Sequence, residues 1–260
     1  MHTTVTVEAH VERVMSFAYR LSAFAARRVT VKPVRLTLVR PVASFSFDDF
    51  PISAWTVGGP ILDRFGAKAT YYAAGDFCGR QVDGLDYFDE QTLREIAAAG
   101  HEIGCHSFSH EPSPFIRSEL LTDDLDRNSI FLREALGPDA GTFSFAYPYG
   151  QLCARTKRLM AGRYPSSRGI HPGVNGAVTD LAQLKAIPLE RRSWRAATVQ
   201  RWIEAAKVQK GWLVFFSHDV SDDPSPYGCT PAMLEHALAS ARAAGFDVLP
   251  VKEALAAAGA

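Results

Sequence analysis

Pro41-Val42-Ala43-Ser44-Phe45-Ser46-Phe47-Asp48-Asp49-Phe50 is an apolar run of strand length that ends in two adjacent carboxylates. Burial penalises such groups unless they are given a partner or a task. On the C-terminal side of this run the chain alternates β-rich runs with helical patterns, the signature of a parallel sheet with crossover helices. The β-runs fall at 42–47, 69–73, 102–105, 142–146, 168–170, 186–189, 212–217 and 246–249. Helical patterns at 52–65, 90–99, 118–136, 154–162, 199–210 and 231–244 lie between most of them, with Gly66, Gly100, Gly137, Gly162, Gly211 and Gly245 as expected stops. Seven or eight such units predict an α/β barrel. An open doubly wound sheet would read similarly, but the unit count and the absence of G-x-G-x-x-G after the first strand favour the barrel.

At 260 residues and 47% hydrophobic content the chain has an ordinary globular composition, and one domain is the default. Lysine plus arginine and aspartate plus glutamate are 28 each, so no charge excess marks a nucleic-acid partner. Cys78, Cys105, Cys153 and Cys229 are scattered without a C-x-x-C pair, which fits reduced thiols in a cytoplasmic protein. Glu8, Glu12, Arg13 and Arg20 interrupt the N-terminus, which does not read as a secretory signal, and no apolar stretch is long enough to span a bilayer.

Residues 1–38 read as an amphipathic extension to a main domain at 39–260. Within it, residues 9–28 form a helical pattern with Val14, Phe17, Leu21 and Phe24 on one side and Arg13, Arg20 and Arg27 beside them. This is either a basic helix lying on the inner face of a membrane or a helix packed on the barrel. The second is preferred because acidic residues intrude.

In a barrel the chemistry gathers beyond the C-terminal ends of the strands, and unusual polar residues stand there. Asp48-Asp49 ends the first: one carboxylate can bind a metal while its neighbour takes a proton from water, though the pair could also cap the helix at Ile52. His106-Ser107-Phe108-Ser109-His110 ends the third, and two histidines at i and i+4 would face the same way on a helical turn, a spacing that suits zinc. Together with a carboxylate they make a three-ligand site with a position open for water, whose pKa the ion would lower. Tyr147-Pro148-Tyr149-Gly150 ends the fourth, where a backbone N–H could face an oxyanion or simply close a turn. His218-Asp219 ends the seventh and could protonate a leaving amine. His101, His171, His236, Cys105 and Met160 read as structural, with Cys105 pointing away from His106 on a strand.

These residues, in this order, resemble the polysaccharide deacetylase family, the NodB-homology or carbohydrate esterase family 4 domain, over roughly 41–256. Ser46-Phe47-Asp48-Asp49 is similar to its T-F-D-D motif, which implies Asp48 as general base and Asp49 as metal ligand. His106-Ser107-Phe108-Ser109-His110 resembles H-[ST]-x-x-H and implies His106 and His110 as the other ligands, with zinc the expected ion and cobalt or nickel as alternatives. Tyr147-Pro148-Tyr149-Gly150 is similar to the end of R-x-P-Y, implying the Tyr149 N–H in the oxyanion hole with Pro148 beside the substrate. The strand 213–219 resembles the apolar strand ending in H-D, implying His218 as general acid. Two departures stand out. Ala146 occupies the position of the arginine that orients the base, for which Arg168 is the candidate substitute and a candidate substrate contact. The D-x-x-D-W segment is absent, with neither Asp180 nor Trp194 in a copy of it, so His218 has no identified partner.

The resemblance implies a deformed (β/α)7–8 barrel that removes acetyl groups from N-acetylglucosamine-type units of a polysaccharide or of an oligosaccharide or lipid-linked precursor, met at the inner membrane face by a cytoplasmic enzyme. A small-molecule amidase or deformylase, and a carbohydrate-binding pseudoenzyme, are the competing readings.

Overall fold

The computed structural model describes residues 17–137 and 140–260. Its helices are α1 (Phe17–Arg28), α2 (Ser53–Thr56), α3 (Gly58–Arg64), α4 (Glu90–Ala98), α5 (Ser118–Leu136), α6 (Ala154–Arg163), α7 (Ala196–Gln209), α8 (Pro231–Ala243) and α9 (Val251–Ala257). The main sheet takes β2 (Val42–Asp48), β3 (Thr70–Ala73), β6 (Glu102–Cys105), β7 (Phe145–Ala146), β8 (Ser167–Arg168), β10 (Ile187–Pro188), β11 (Trp212–Ser217) and β12 (Asp247–Val248), while β4 (Gln81–Val82) and β5 (Leu85–Asp86) form a separate hairpin. They run in the order β10-β11-β2-β3-β6-β7-β8, every pairing parallel, with β12 against the start of β2. Leu184 bridges to Arg168, and three residues later β10 pairs with β11, so one segment touches both ends of the curled sheet. This is the deformed α/β barrel expected from the strand and helix pattern.

Strand parity decides which side chains meet inside. Ala43, Phe45 and Phe47 of β2 join the apolar layer beneath the helices, while Val42 packs inside with Trp212, Val214 and Phe216 of β11. Ser44 shares that inner face and accepts the indole N–H of Trp212 at 2.9 Å. The same alternation carries Asp48 to the inside of the barrel at the C-terminal rim. On β6 it puts Glu102, Gly104 and His106 on one face, and Gly104 is required there because a Cβ would run into the ring of Tyr72.

Local differences from the sequence reading have physical causes. The helix expected at 52–65 is split into α2 and α3, because Pro60 offers no N–H to the carbonyl four residues back. Gly162 lies inside α6 rather than after it, and the left-handed residue ending α7 is Lys210, not Gly211. α9, too short to show a period, closes the N-terminal end of the barrel. Its first N–H groups are taken by barrel side chains: Val251 N donates to Thr70 Oγ1 at 2.9 Å and Lys252 N to Glu102 Oε2 at 2.8 Å.

The segment before the barrel is tied to it by β1 (Pro33–Arg35), antiparallel to β9 (Val178–Asp180). Asp180 accepts from Val31 N, Lys32 N and the buried Lys157, which also donates to Ala26 O and Val29 O at the end of α1. α1 therefore packs on the barrel, but not through the apolar stripe. Its buried contacts are Ala23 and Ala26, whose small side chains let the helix approach α6, while Leu21 and Phe24 stay 59% and 53% exposed. Residues 9–16 of the expected helix, with Val14, lie outside the described residues, as does the side chain of Phe17.

Candidate active site

Asp49, His106 and His110 each place one ligand atom within 4.8 Å of the others. His106 Nε2 is 3.4 Å and His110 Nε2 3.1 Å from Asp49 Oδ1. His106 Nδ1 lies 2.7 Å from Ala146 O, and because a carbonyl can only accept, the proton sits on Nδ1 and Nε2 presents a lone pair to the cluster. Burial pushes His106 down to about 4 and His110 to about 3, so both rings are neutral at ordinary pH. Asp49 Oδ1 is buried and has no hydrogen-bond partner. Lone pairs converging on an unsatisfied carboxylate oxygen repel one another unless a cation stands between them, and two imidazoles with one carboxylate suit a borderline divalent ion. The residues therefore fit the expected metal.

The histidines do not converge through a helical turn. Ser107 and His110 have φ of 62° and 54°, a left-handed path that side chains rarely adopt. The turn is held from α5, where Asp124 accepts Phe108 N at 2.9 Å and Ser109 N at 3.0 Å. Asp49 is itself left-handed, at φ 55°, which turns it away from Asp48 although the two are adjacent. Neither caps the following helix, since α2 has no side-chain cap.

Asp48 faces Arg168. The guanidinium is fully buried, donates to Asp48 Oδ1 and to Gly169 O, and lies between the rings of Tyr72 and Phe216 at 5.2 and 5.0 Å. Burial alone would raise the Asp48 carboxyl, but the charge of Arg168, with His106 and His218 nearby, holds it below the ordinary value. Arg168 stands behind Asp48 with no exposed surface, which corrects its expected contact with substrate. Its placement follows from register: Arg168 on β8 is the direct partner of Ala146 on β7. The cation has moved sideways by one strand, about 4.8 Å, at the same height in the barrel. Ala146 leaves room for it and contributes its carbonyl to His106.

Tyr149 has φ 56° in the short turn at 148–150, with its ring 4.6 Å from that of His110, and Pro148 is buried beneath the turn. His218 follows β11 on the inward parity, and its Nδ1 lies 3.2 Å from Tyr227 O. The structure thus brings Asp48, Asp49, His106, His110, Tyr149 and His218 to one rim. His101 is held apart, accepting Ala69 N on Nδ1 at 3.0 Å, and Cys105 turns outward to Tyr164 and Asn128.

Sequence reasoning missed Asp124, which within a polar helix reads as part of a solvated face. It also missed the Ala146 carbonyl and the Tyr227 carbonyl, for which no side-chain signal exists.

The comparisons agree with this geometry. The polysaccharide deacetylase family model matches residues 36–162. The uncharacterized protein YlxY of Bacillus subtilis (strain 168) is 28% identical over 91 residues, a stretch covering 32% of this chain and 26% of that protein, so the similarity spans about a quarter of the relative's length. The family 4 acetyl xylan esterase from Clostridium thermocellum, solved with a cobalt ion, superposes with a TM-score of 0.56 at 19% identity, covering 83% of this chain and 90% of that one. BA3943 from Bacillus anthracis, described as a CE4 family pseudoenzyme, has a TM-score of 0.55 at 14% identity, covering 85% of this chain and 67% of that one. At such identities these structures establish the fold, an architecture that carries both active and inactive sites. Taken with the order of the rim residues, they lead to one conclusion: from Leu36 into α6 the chain matches the polysaccharide deacetylase family, on the fold that these structures share.

Proposed function

We propose that this protein is a metal-dependent de-N-acetylase acting on N-acetylglucosamine-type units of a bacterial polysaccharide, or of its oligosaccharide or lipid-linked precursor, as in exopolysaccharide or adhesin modification. The observation that carries the reading is the convergence of Asp49, His106 and His110 beside an Asp48 that Arg168 holds ionised. A divalent cation bound by those three, zinc or alternatively cobalt or nickel, would supply Lewis acidity to the acyl oxygen and the attacking water. Asp48, kept as carboxylate by Arg168, takes a proton from the water whose oxygen bonds to the acetyl carbon. The Tyr149 N–H donates to the oxyanion. The C–N bond then breaks, its electron pair passes to nitrogen, and nitrogen takes a proton from His218. Acetic acid and the free amine leave, and the proton on Asp48 returns to His218 through solvent.

Arg168 takes the part of the arginine absent at Ala146, which answers the main argument for a binding-only protein. Contact with the inner face of a membrane through α1 is supported by the outward Leu21 and Phe24 beside Arg20, Arg27 and Arg28, in a stretch from Arg13 to Phe47 that has no acidic residue. Co-flotation with anionic but not neutral vesicles tests that part.

The deciding experiment is acetate release from N-acetylglucosamine oligomers by the purified protein with zinc or cobalt, beside chelated protein and the Asp48→Ala variant. Metal-dependent release, lost in the variant by about 10²-fold or more, is expected. Metal binding without release from glycans, but with turnover of a simple formamide, would replace this reading with a small-molecule amidase. Binding of glycan without any turnover would replace it with a pseudoenzyme.

A further inference from the structure

Among the described residues no carboxylate is hydrogen-bonded to His218. Its Nδ1 faces the carbonyl of Tyr227 in the loop 219–229 that follows β11. That loop is built around a buried Asp219, which accepts from Ser225 N at 2.9 Å and from Ser225 Oγ. Gly228 is needed because a Cβ there would strike the Asp219 carboxylate. The loop is then gripped from a different strand end. Just beyond β10, Arg192 N donates to Pro226 O at 3.2 Å and Arg191 N to Gly228 O at 2.7 Å. With the carbonyls on both sides of Tyr227 tied to 191–192, the one between them is turned to His218. Arg192 adds a second hold: its guanidinium lies 4.2 Å from the centre of the Tyr227 ring, and its Nε donates at 2.7 Å to Glu190, whose side chain is buried.

We infer that the segment Glu190-Arg191-Arg192, acting through the loop 219–229, aims His218, and that Arg192 is a positioning residue for protonation of the leaving nitrogen. The inference rests on the reading of His218 as the acid. Because Nδ1–H is engaged by the Tyr227 carbonyl, the proton given up comes from Nε2 as the C–N bond breaks and its electron pair passes to nitrogen. The acid is thus held by a neutral backbone acceptor rather than by an aspartate, and the loop rather than a neighbouring side chain sets its direction.

The test separates the acid step from the rest of the reaction by leaving group. An amide nitrogen must be protonated to depart, whereas the phenolate of 4-nitrophenyl acetate leaves without help. In the cobalt-loaded enzyme, Arg192→Ala is expected to lower kcat on N-acetylglucosamine oligomers roughly tenfold, with aryl-ester hydrolysis and cobalt content unchanged. Arg192→Lys recovers part of the loss. His218→Ala, run in parallel, must show the same selectivity more strongly. If it lowers both substrates alike, the reading of His218 fails, and NMR of 15N-labelled histidine decides the positioning separately. There the Nδ1–H tautomer of His218 is expected in the wild type and is redistributed by Arg192→Ala. An amide-to-ester ratio and a His218 spectrum that Arg192→Ala leaves as in the wild type would overturn the proposal.

Discussion

Glu102 and His106 lie on the same inward face of β6, four residues and about 13 Å apart. At the closed end, both oxygens of Glu102 are bonded, to Thr70 Oγ1 at 2.8 Å, Ser144 Oγ at 2.6 Å and the first turn of α9 at 2.8 Å. At the open end, Asp49 Oδ1, Ser107 Oγ and Arg168 Nε are buried without partners, and Asp49, Phe50, Ser107, His110 and Tyr149 around the rim have positive φ without being glycine. Both ends bury acids, so burial alone does not mark a site. What separates them is completion. Glu102 is bonded by groups of the fold, whereas Asp49 Oδ1 has no hydrogen-bond partner and faces the ring nitrogens of His106 and His110.

The largest effect expected from this contrast is at the open end. Asp49→Ala should lower turnover on the order of 10³-fold or more, several kcal/mol of transition-state stabilisation. It should leave the melting temperature of the chelated protein unchanged or higher, since the atom removed has no partner, and abolish the rise that zinc gives the wild type. Calorimetry with and without metal checks this; a large loss of stability in the chelated variant would mean that Asp49 is a structural acid like Glu102.

Glu102→Ala should do the reverse, costing about 3 kcal/mol in denaturant unfolding by stranding three buried partners, with turnover per folded molecule within about twofold of wild type. Here the acid acts as a hydrogen-bonding group rather than as a charge. Burial raises its carboxyl above the ordinary value despite the bonds it accepts. Its contribution is therefore complete below the ordinary glutamate pKa of about 4.3 and declines as pH rises through the higher folded value. Glu102→Gln, which cannot ionise, should show a flatter pH dependence across that window, and an unfolding series from pH 4 upward measures it.

The smallest effect sharpens the boundary between the two ends. Asp124 is bonded through both oxygens, and those bonds hold the turn that carries both histidines. Asp124→Ala should weaken metal binding about tenfold with a smaller change in stability, and titration with cobalt monitored by its visible spectrum gives the value. Unchanged affinity would confine the function to the unfinished atoms alone.

Much of this was legible before folding. The strand ends 42–48, 102–105 and 212–217 could be read to within a residue because long buried strands are continuous apolar runs, and the residues that follow them are conspicuous there. The strands β7, β8 and β10, of two residues each, and the pair β1 and β9 gave weak or no periodic signal. Asp48 and Asp49 announced that chemistry lay at one rim, and their adjacency said that they would not share one role.

The sequence by itself determined the kinds of group available, their order around the barrel, and through strand parity that Asp48, His106 and His218 would face inward together. Only the tertiary structure decided who partners whom. That Arg168 stands beside Ala146 depends on the register between β7 and β8, that Asp124 holds the histidine turn depends on how α5 lies against it, and that Tyr227 meets His218 depends on a loop pinned from another strand. Each is a contact between residues distant along the chain, made through backbone carbonyls or charges whose local sequence looks the same whether or not the partner arrives.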